Sequence, residues 1–132
     1  MTLYDFLIPE LLVTGISGFI FFVAGIVISQ FPPKKINVLY GYRTKRSMKN
    51  QQNWDYAQKY SARKMIETGI VLQLIAAISI FFDIPGGYKI LVELILIAGG
   101  ILRMTVKVEQ SLRRYEQTLI KASENGGEVG YE

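Results

Sequence analysis

Five residues of one polar stretch carry the side chains best suited to binding: Asn37, Gly41, Arg43, Thr44 and, a little further on, Trp54. Arg43 offers a planar fork of donors that fits a carboxylate, a phosphate or backbone carbonyls. Gly41, between Tyr40 and Tyr42, permits a tight backbone course, and Asn37 can satisfy backbone groups where a chain leaves a membrane. The same residue types also suit the plainer task of bracing a loop and capping helices, and residue type alone leaves both readings open. A second set, Glu67, Gln73, Glu93 and Arg103, lies in or beside apolar runs. An antiparallel helix pair would bring Glu67 and Arg103 to one depth, so the sequence predicts an ion pair between them, or between Glu67 and Arg43. Removing one partner of such a buried pair costs about 3–5 kcal/mol. Gln73 reads as an interhelical hydrogen bond, and Glu93 is expected to be solvated at the outer rim rather than to line a cavity.

The chain has neither cysteine nor histidine, which removes thiol nucleophiles, imidazole acid–base catalysis and the ordinary zinc sites. Glu67 and Glu93 should face opposite sides of a membrane, too far apart to share acid–base work. Asp55 is a lone carboxylate suited to the start of a helix. No enzyme, metal or cofactor is therefore expected.

The elements that must position these residues are helices. Half of the 132 residues are hydrophobic and mean hydropathy is positive. Leu11–Phe31 contains no charged residue, and at about 1.5 Å per residue it covers the roughly 30 Å hydrocarbon core of a bilayer. Shorter apolar runs, 68–82 and 90–106, cross if flanking side chains snorkel. The fold class expected is an all-α membrane protein with three transmembrane helices, forming one domain over 1–124. A small soluble bundle fits less well, because so short a chain seldom buries three all-round apolar helices. Residues 1–10 read as an external cap with Pro9 starting the first helix. With no basic n-region ahead of it, that helix should remain in the mature protein. Gly18, Gly25 and Ser29 offer a groove to another helix, of this chain or of a second copy. Pro32-Pro33 ends the first helix. From about Asn50, with Ser47 or Asn50 as N-cap, the stripe Trp54, Ala57, Ser61, Met65 and Thr68 predicts an interfacial amphipathic segment running into the second span. A turn at 83–87 closes a hairpin, Val108, Leu112, Tyr115 and Leu119 predict a cytoplasmic helical extension, and 125–132 read as a disordered tail.

The net charge of +4 is sorted by segment. Lysines and arginines crowd the first loop and follow the third run, while the opposite side has only Lys89. The positive-inside rule puts the N-terminus outside and the loop and C-terminus in the cytoplasm. The bias is thus a topology signal rather than a nucleic-acid one, with membrane lipids as partners at about 1 kcal/mol per well-placed cation.

Asn37, Gly41-Tyr42-Arg43-Thr44, Ser47, Asn50 and Trp54, set between two apolar helices, resemble the motif of the SdpI family of bacterial membrane proteins; the likeness covers roughly residues 11–82. The resemblance implies a multi-pass protein of the bacterial cytoplasmic membrane giving immunity to, or sensing, a membrane-active antimicrobial peptide. A peptide toxin and a cytoplasmic repressor would be its partners. Readings from other classes are a small transporter or channel subunit, which three helices could form only as a homo-oligomer, and a binder of anionic lipid through Arg43 and its neighbouring lysines.

Overall fold

A computed structural model describes residues 3–82 and 86–126, and among them the chain is three helices without a strand: α1 (Leu3–Gln30), α2 (Gln51–Ser79) and α3 (Gly86–Glu124). α1 runs through Pro9 instead of starting there. At the other end Phe31 donates to Val27 O at 2.8 Å, and the two prolines stop the helix as expected. α2 begins at the Asn50 cap, whose side chain accepts from Asn53 N at 2.8 Å. The amphipathic stripe and the second apolar run form one continuous helix, as do the third apolar run and its extension. Gly86 and Gly87 already belong to α3. The remainder of the expected turn at 83–85, the headgroup contacts of the N-terminal cap and the tail from 127 onward lie outside the described residues.

Small residues set how α1 meets α2. A Cβ added to Gly69 would sit 2.6 Å from Phe22 N and 2.7 Å from Gly18 O, and one on Gly25 would sit 2.8 Å from Ala62 O. Backbone thus approaches backbone on both sides, which only glycine permits. The Gly18–Gly25 groove is filled from within the chain by α2, while Ser29 is exposed and takes no part. Gln73 Nε2 donates to Gly15 O at 3.0 Å across the same contact, the interhelical bond expected of it.

The buried cluster lies towards the polar end, where Tyr42, Ala57, Met104, Val108 and Leu112 pack together with Phe21, Tyr56, Tyr60, Met65 and Tyr115 against them. The α2 stripe therefore faces protein rather than a lipid surface: Trp54, Ala57 and Ser61 are fully buried. The sequence pattern was that of an amphipathic helix, and a neighbouring helix satisfies such a face as well as headgroups do. Tyr56 stacks on Tyr115 with ring centroids 4.2 Å apart, and its hydroxyl meets Ser111 Oγ at 2.6 Å. Elsewhere the surface is apolar: Ile16, Phe19 and Ile20 of α1, Ile70, Leu74 and Ile78 of α2, and Ile90, Leu94, Ile95 and Leu102 of α3 are all exposed. Among the described residues one helix, α1 over Val13–Gln30, is both long and apolar enough to cross a bilayer by itself.

Replacing Gly69 by alanine should cost about 1–3 kcal/mol, the range for overpacking a close contact. Gly99→Ala, where nothing lies within 4 Å of the added carbon, should be neutral or slightly stabilising. Thermal unfolding in one detergent checks this; equal melting temperatures for the two variants would contradict the crossing described.

Candidate functional site

The segment between α1 and α2 is held residue by residue. Trp54, at the first turn of α2, donates from Nε1 to Pro33 O at 2.6 Å and fixes the point where the chain leaves α1. Gln51 Nε2 reaches Lys34 O and Asp55 Oδ1, both at 2.7 Å. Asn37 folds the next residues back: its Oδ1 accepts from Leu39 N at 2.9 Å and Tyr40 N at 3.1 Å, while Nδ2 donates to Lys35 O at 2.9 Å. Arg43 donates to Val38 O and closes that turn.

Gly41 has φ +106°, a conformation that side chains disfavour, and a Cβ there would lie 2.5 Å from Gln58 Oε1. Gln58 is the reason that space is taken. Its Oε1 accepts from Tyr42 N at 2.7 Å and its Nε2 donates to Tyr42 O at 2.9 Å, so one buried amide satisfies both backbone groups of one residue. Thr44 and Ser47 then cap one another: Ser47 Oγ accepts from Thr44 N at 2.8 Å, and Thr44 Oγ1 accepts from Ser47 N at 3.2 Å. The Ser47 hydroxyl proton points to Tyr42 O at 3.0 Å or Thr44 O at 3.1 Å.

Two carboxylates of α3 complete the clasp. Glu109 Oε1 accepts from Thr44 Oγ1 at 2.7 Å and the Tyr42 hydroxyl at 3.1 Å, and its Oε2 lies 3.4 Å from Arg46 Nε. Glu116 accepts from Asn53 Nδ2 at 2.7 Å and pairs with Arg46 and, at 3.4 Å, Lys49. Burial, and then the charge and hydrogen bond of Glu109, push the Tyr42 phenol well up, so it remains a donor. Burial acts to raise the Glu116 carboxyl, but hydrogen bonds from Asn53, Arg46 and Lys49 and the Arg46 charge outweigh it and hold the group below the usual carboxylate range. An open cleft of about 470 Å³ lies over the clasp, lined by Thr44, Lys45, Arg46, Lys49, Glu109 and Glu116.

The motif residues foreseen in the sequence are thus in one place, and Asn37, Gly41, Thr44 and Trp54 all brace the loop. Arg43 does so as well, through a backbone carbonyl. The charged residues are arranged differently from expectation. Glu67 Oε2 bonds Lys64 Nζ at 2.6 Å one turn away on its own helix, and neither Arg103 nor Arg43 is its partner. The local cation wins because an i,i+3 pair orders fewer groups than a pair across helices. Glu93 is buried at 8% exposure instead of solvated; its Oε2 and the Thr14 hydroxyl, neither with a hydrogen-bond partner among the described residues, belong to side chains that line one cavity of about 40 Å³. Glu67 and Arg103 line another cleft with Lys107, separate from the cavity beside Glu93.

Glu109, Glu116, Gln58 and Asn53 were not singled out from the sequence. Periodicity was the one available signal: Glu109 and Glu116 are seven apart, two turns on one face of α3.

A sequence profile of the SdpI/YfhL protein family matches residues 34–105, more than half of the chain. YfhL of Bacillus subtilis (strain 168), described as an uncharacterized protein, is 51% identical over 57 residues, which are 43% of this chain and 52% of that protein. The chain thus matches about half the length of this curated relative. No solved structure matches.

Gln58→Ala should remove about 1–3 kcal/mol, since it leaves the Tyr42 N–H buried and unpaired and the Tyr42 C=O to the Ser47 hydroxyl alone; an unchanged melting temperature would show that the clamp is dispensable. For Glu116 the sign follows from its lowered carboxyl. Its contribution is full above the unfolded value near 4.3 and is lost as pH falls through the lower folded value. Melting temperatures followed from pH 7 down to about pH 3 should therefore fall more steeply in the wild type than in Glu116→Gln, and parallel curves would refute the clasp.

Proposed function

Since this chain belongs to the SdpI/YfhL family, we propose that it is a multi-pass protein of the bacterial cytoplasmic membrane that confers immunity to, or senses, a membrane-active antimicrobial peptide. All three helices cross the bilayer in this reading, with the N-terminus outside and the motif loop and C-terminus in the cytoplasm. Exposed apolar residues on each helix support the crossings, as α1 does by its length and composition. The crowding of lysine and arginine at the loop end supports the orientation.

The observation that carries the functional reading is the clasp. The family motif is built into a braced platform tied to α3 by Glu109 and Glu116, and with the proposed orientation the cleft over it would face the cytoplasm. A peptide in the membrane would meet the apolar helix faces. A cytoplasmic partner, such as a repressor drawn to the membrane, would meet the cleft and the helical extension.

Deleting the gene should raise sensitivity to at least one membrane-active peptide, and the wild-type gene should restore resistance. Glu109→Gln/Glu116→Gln, expressed to the same level, should restore it only in part. A deletion strain with unaltered sensitivity across a broad peptide panel would sink the reading. Topology has its own test, because the chain has no cysteine. A membrane-impermeant maleimide added to whole cells should label Tyr88→Cys but not Lys45→Cys until the cells are opened; the reverse pattern would invert the orientation.

A further inference from the structure

Between α2 and α3, at the polar end of their apolar runs, lies a cleft of about 220 Å³ whose walls include Tyr60, Lys64, Glu67, Thr68, Arg103 and Lys107. Three cations thus face one carboxylate. That carboxylate is engaged, since Glu67 bonds Lys64, and the same Lys64 ammonium sits 5.6 Å from the centre of the Tyr60 ring. Arg103 and Lys107, one helical turn apart on α3, form no ion pair among the described residues. Two unpaired cations converging on a polar cleft make a local surplus of positive charge that the protein itself does not neutralise.

The depth of the cleft narrows the chemistry. Thr68 begins the second apolar run, and Val106, between the two cations, ends the third. Just beyond the cleft both helices expose apolar side chains, Ile70 and Val71 on α2 and Ile101 and Leu102 on α3. An anion held between Arg103 and Lys107 would therefore sit at headgroup level with hydrocarbon beside it. The Arg103 fork suits two phosphate oxygens, and Lys107 adds a point charge. Waters take about 30 Å³ each, so the cleft accommodates a phosphate with part of its hydration.

We propose that this cleft is a specific site for the phosphate of an anionic phospholipid of the cytoplasmic leaflet, held by Arg103 and Lys107 with Lys64 and Tyr60 forming its opposite wall. The site is separate from the motif clasp and uses neither Arg43 nor the loop lysines. It rests on the reading that α2 and α3 span the membrane.

Native mass spectrometry of the detergent-purified protein, titrated with phosphatidylglycerol, tests it. Wild type should retain one lipid more tightly than the rest. Arg103→Gln/Lys107→Gln should weaken that binding about tenfold or more, from about 1 kcal/mol for each cation near a headgroup. Arg103→Lys/Lys107→Arg, which keeps both charges, should retain most of it, and Arg113→Gln/Arg114→Gln, lower on the extension, should leave it unchanged. Equal retention by the double glutamine variant would overturn the site, as would an equal loss in the Arg113/Arg114 control. Displacement of the lipid by inorganic phosphate at matched concentration would overturn the lipid source and assign the cleft to a soluble phosphate. Membrane fractionation separates this from the underlying reading: protein that stays in the membrane yet fails the titration rejects the site alone, whereas protein recovered in the soluble fraction rejects the spanning helices.

Discussion

The position of the motif loop depends on one amide. Gln58 holds both the N–H and the C=O of Tyr42, and so determines the height at which the loop lies against α2. From there the consequences run in both directions along the chain. Upstream, Gly41 must turn with positive φ because the amide occupies the space a side chain would need. Downstream, the Tyr42 ring enters the core beside Met104, Val108 and Leu112, and its hydroxyl reaches Glu109. A loop of this length without internal secondary structure would ordinarily lose its shape to backbone entropy, at about 1–2 kcal/mol per ordered residue. Here its backbone groups are taken one at a time by Asn37, Gln51, Trp54, Gln58, Thr44 and Ser47, so that order is kept by many modest bonds rather than by a large core.

The electrostatics of the same region follow from its composition. A loop that carries excess lysine and arginine repels itself when it is folded tightly. Glu109 and Glu116 answer that repulsion from a distant part of the chain, and they do so from a helix that continues well past its apolar run. The extension is therefore explained by what it neutralises. Arg46 is the hinge of this arrangement, since it touches both carboxylates. Asn53, from the first turn of α2, ties Glu116 to the Arg46 carbonyl as well as to itself.

What could be read in the sequence divides along sequence separation. The Asn50 cap, the Asn37 turn, the proline stop and the Gln73 bond each depend on local geometry or on the rule that a polar group in an apolar helix finds a partner, and all were legible. The residues of the clasp were legible as a group, since Asn37, Gly41, Arg43, Thr44 and Trp54 cluster in the chain. Glu109 and Glu116 were not, because nothing local distinguishes a glutamate that pairs across more than sixty residues from one solvated on an amphipathic face. Gln58 was hidden for the same reason, as a polar residue in a polar helical turn. The expected Glu67–Arg103 pair fails from the opposite cause: similar depth does bring both beside one cleft, but Lys64, one turn away on the same helix, is the nearer cation. Glu93 shows the limit of hydropathy, which ranks a carboxylate as a rim group and cannot see that Thr14 and Ala76 close over it.

The proposed sensing role would require an event among the helices to change what a partner at the polar end can read, and that is possible only if the ligand binds two arrangements with different affinity. The close crossing of α1 and α2 at Gly18 and Gly69 does not slide easily, because each backbone fills the groove of the other. α3 is joined differently. A Cβ added at Gly100, near the middle of the apolar run of α3, would meet Thr68 at 3.4 Å and Leu72 at 3.8 Å, ordinary contact distances, and a small cavity lies beside Glu93. The firm attachment of α3 is the tyrosine stack and the Glu109 and Glu116 clasp at the other end. Under that proposal a ligand pressing on the Glu93 half of α3 would be felt at its attachment, by Arg46 and the walls of the cleft over the clasp. The arrangement puts the closest backbone contact between α1 and α2 and the charged attachment of α3 at the clasp.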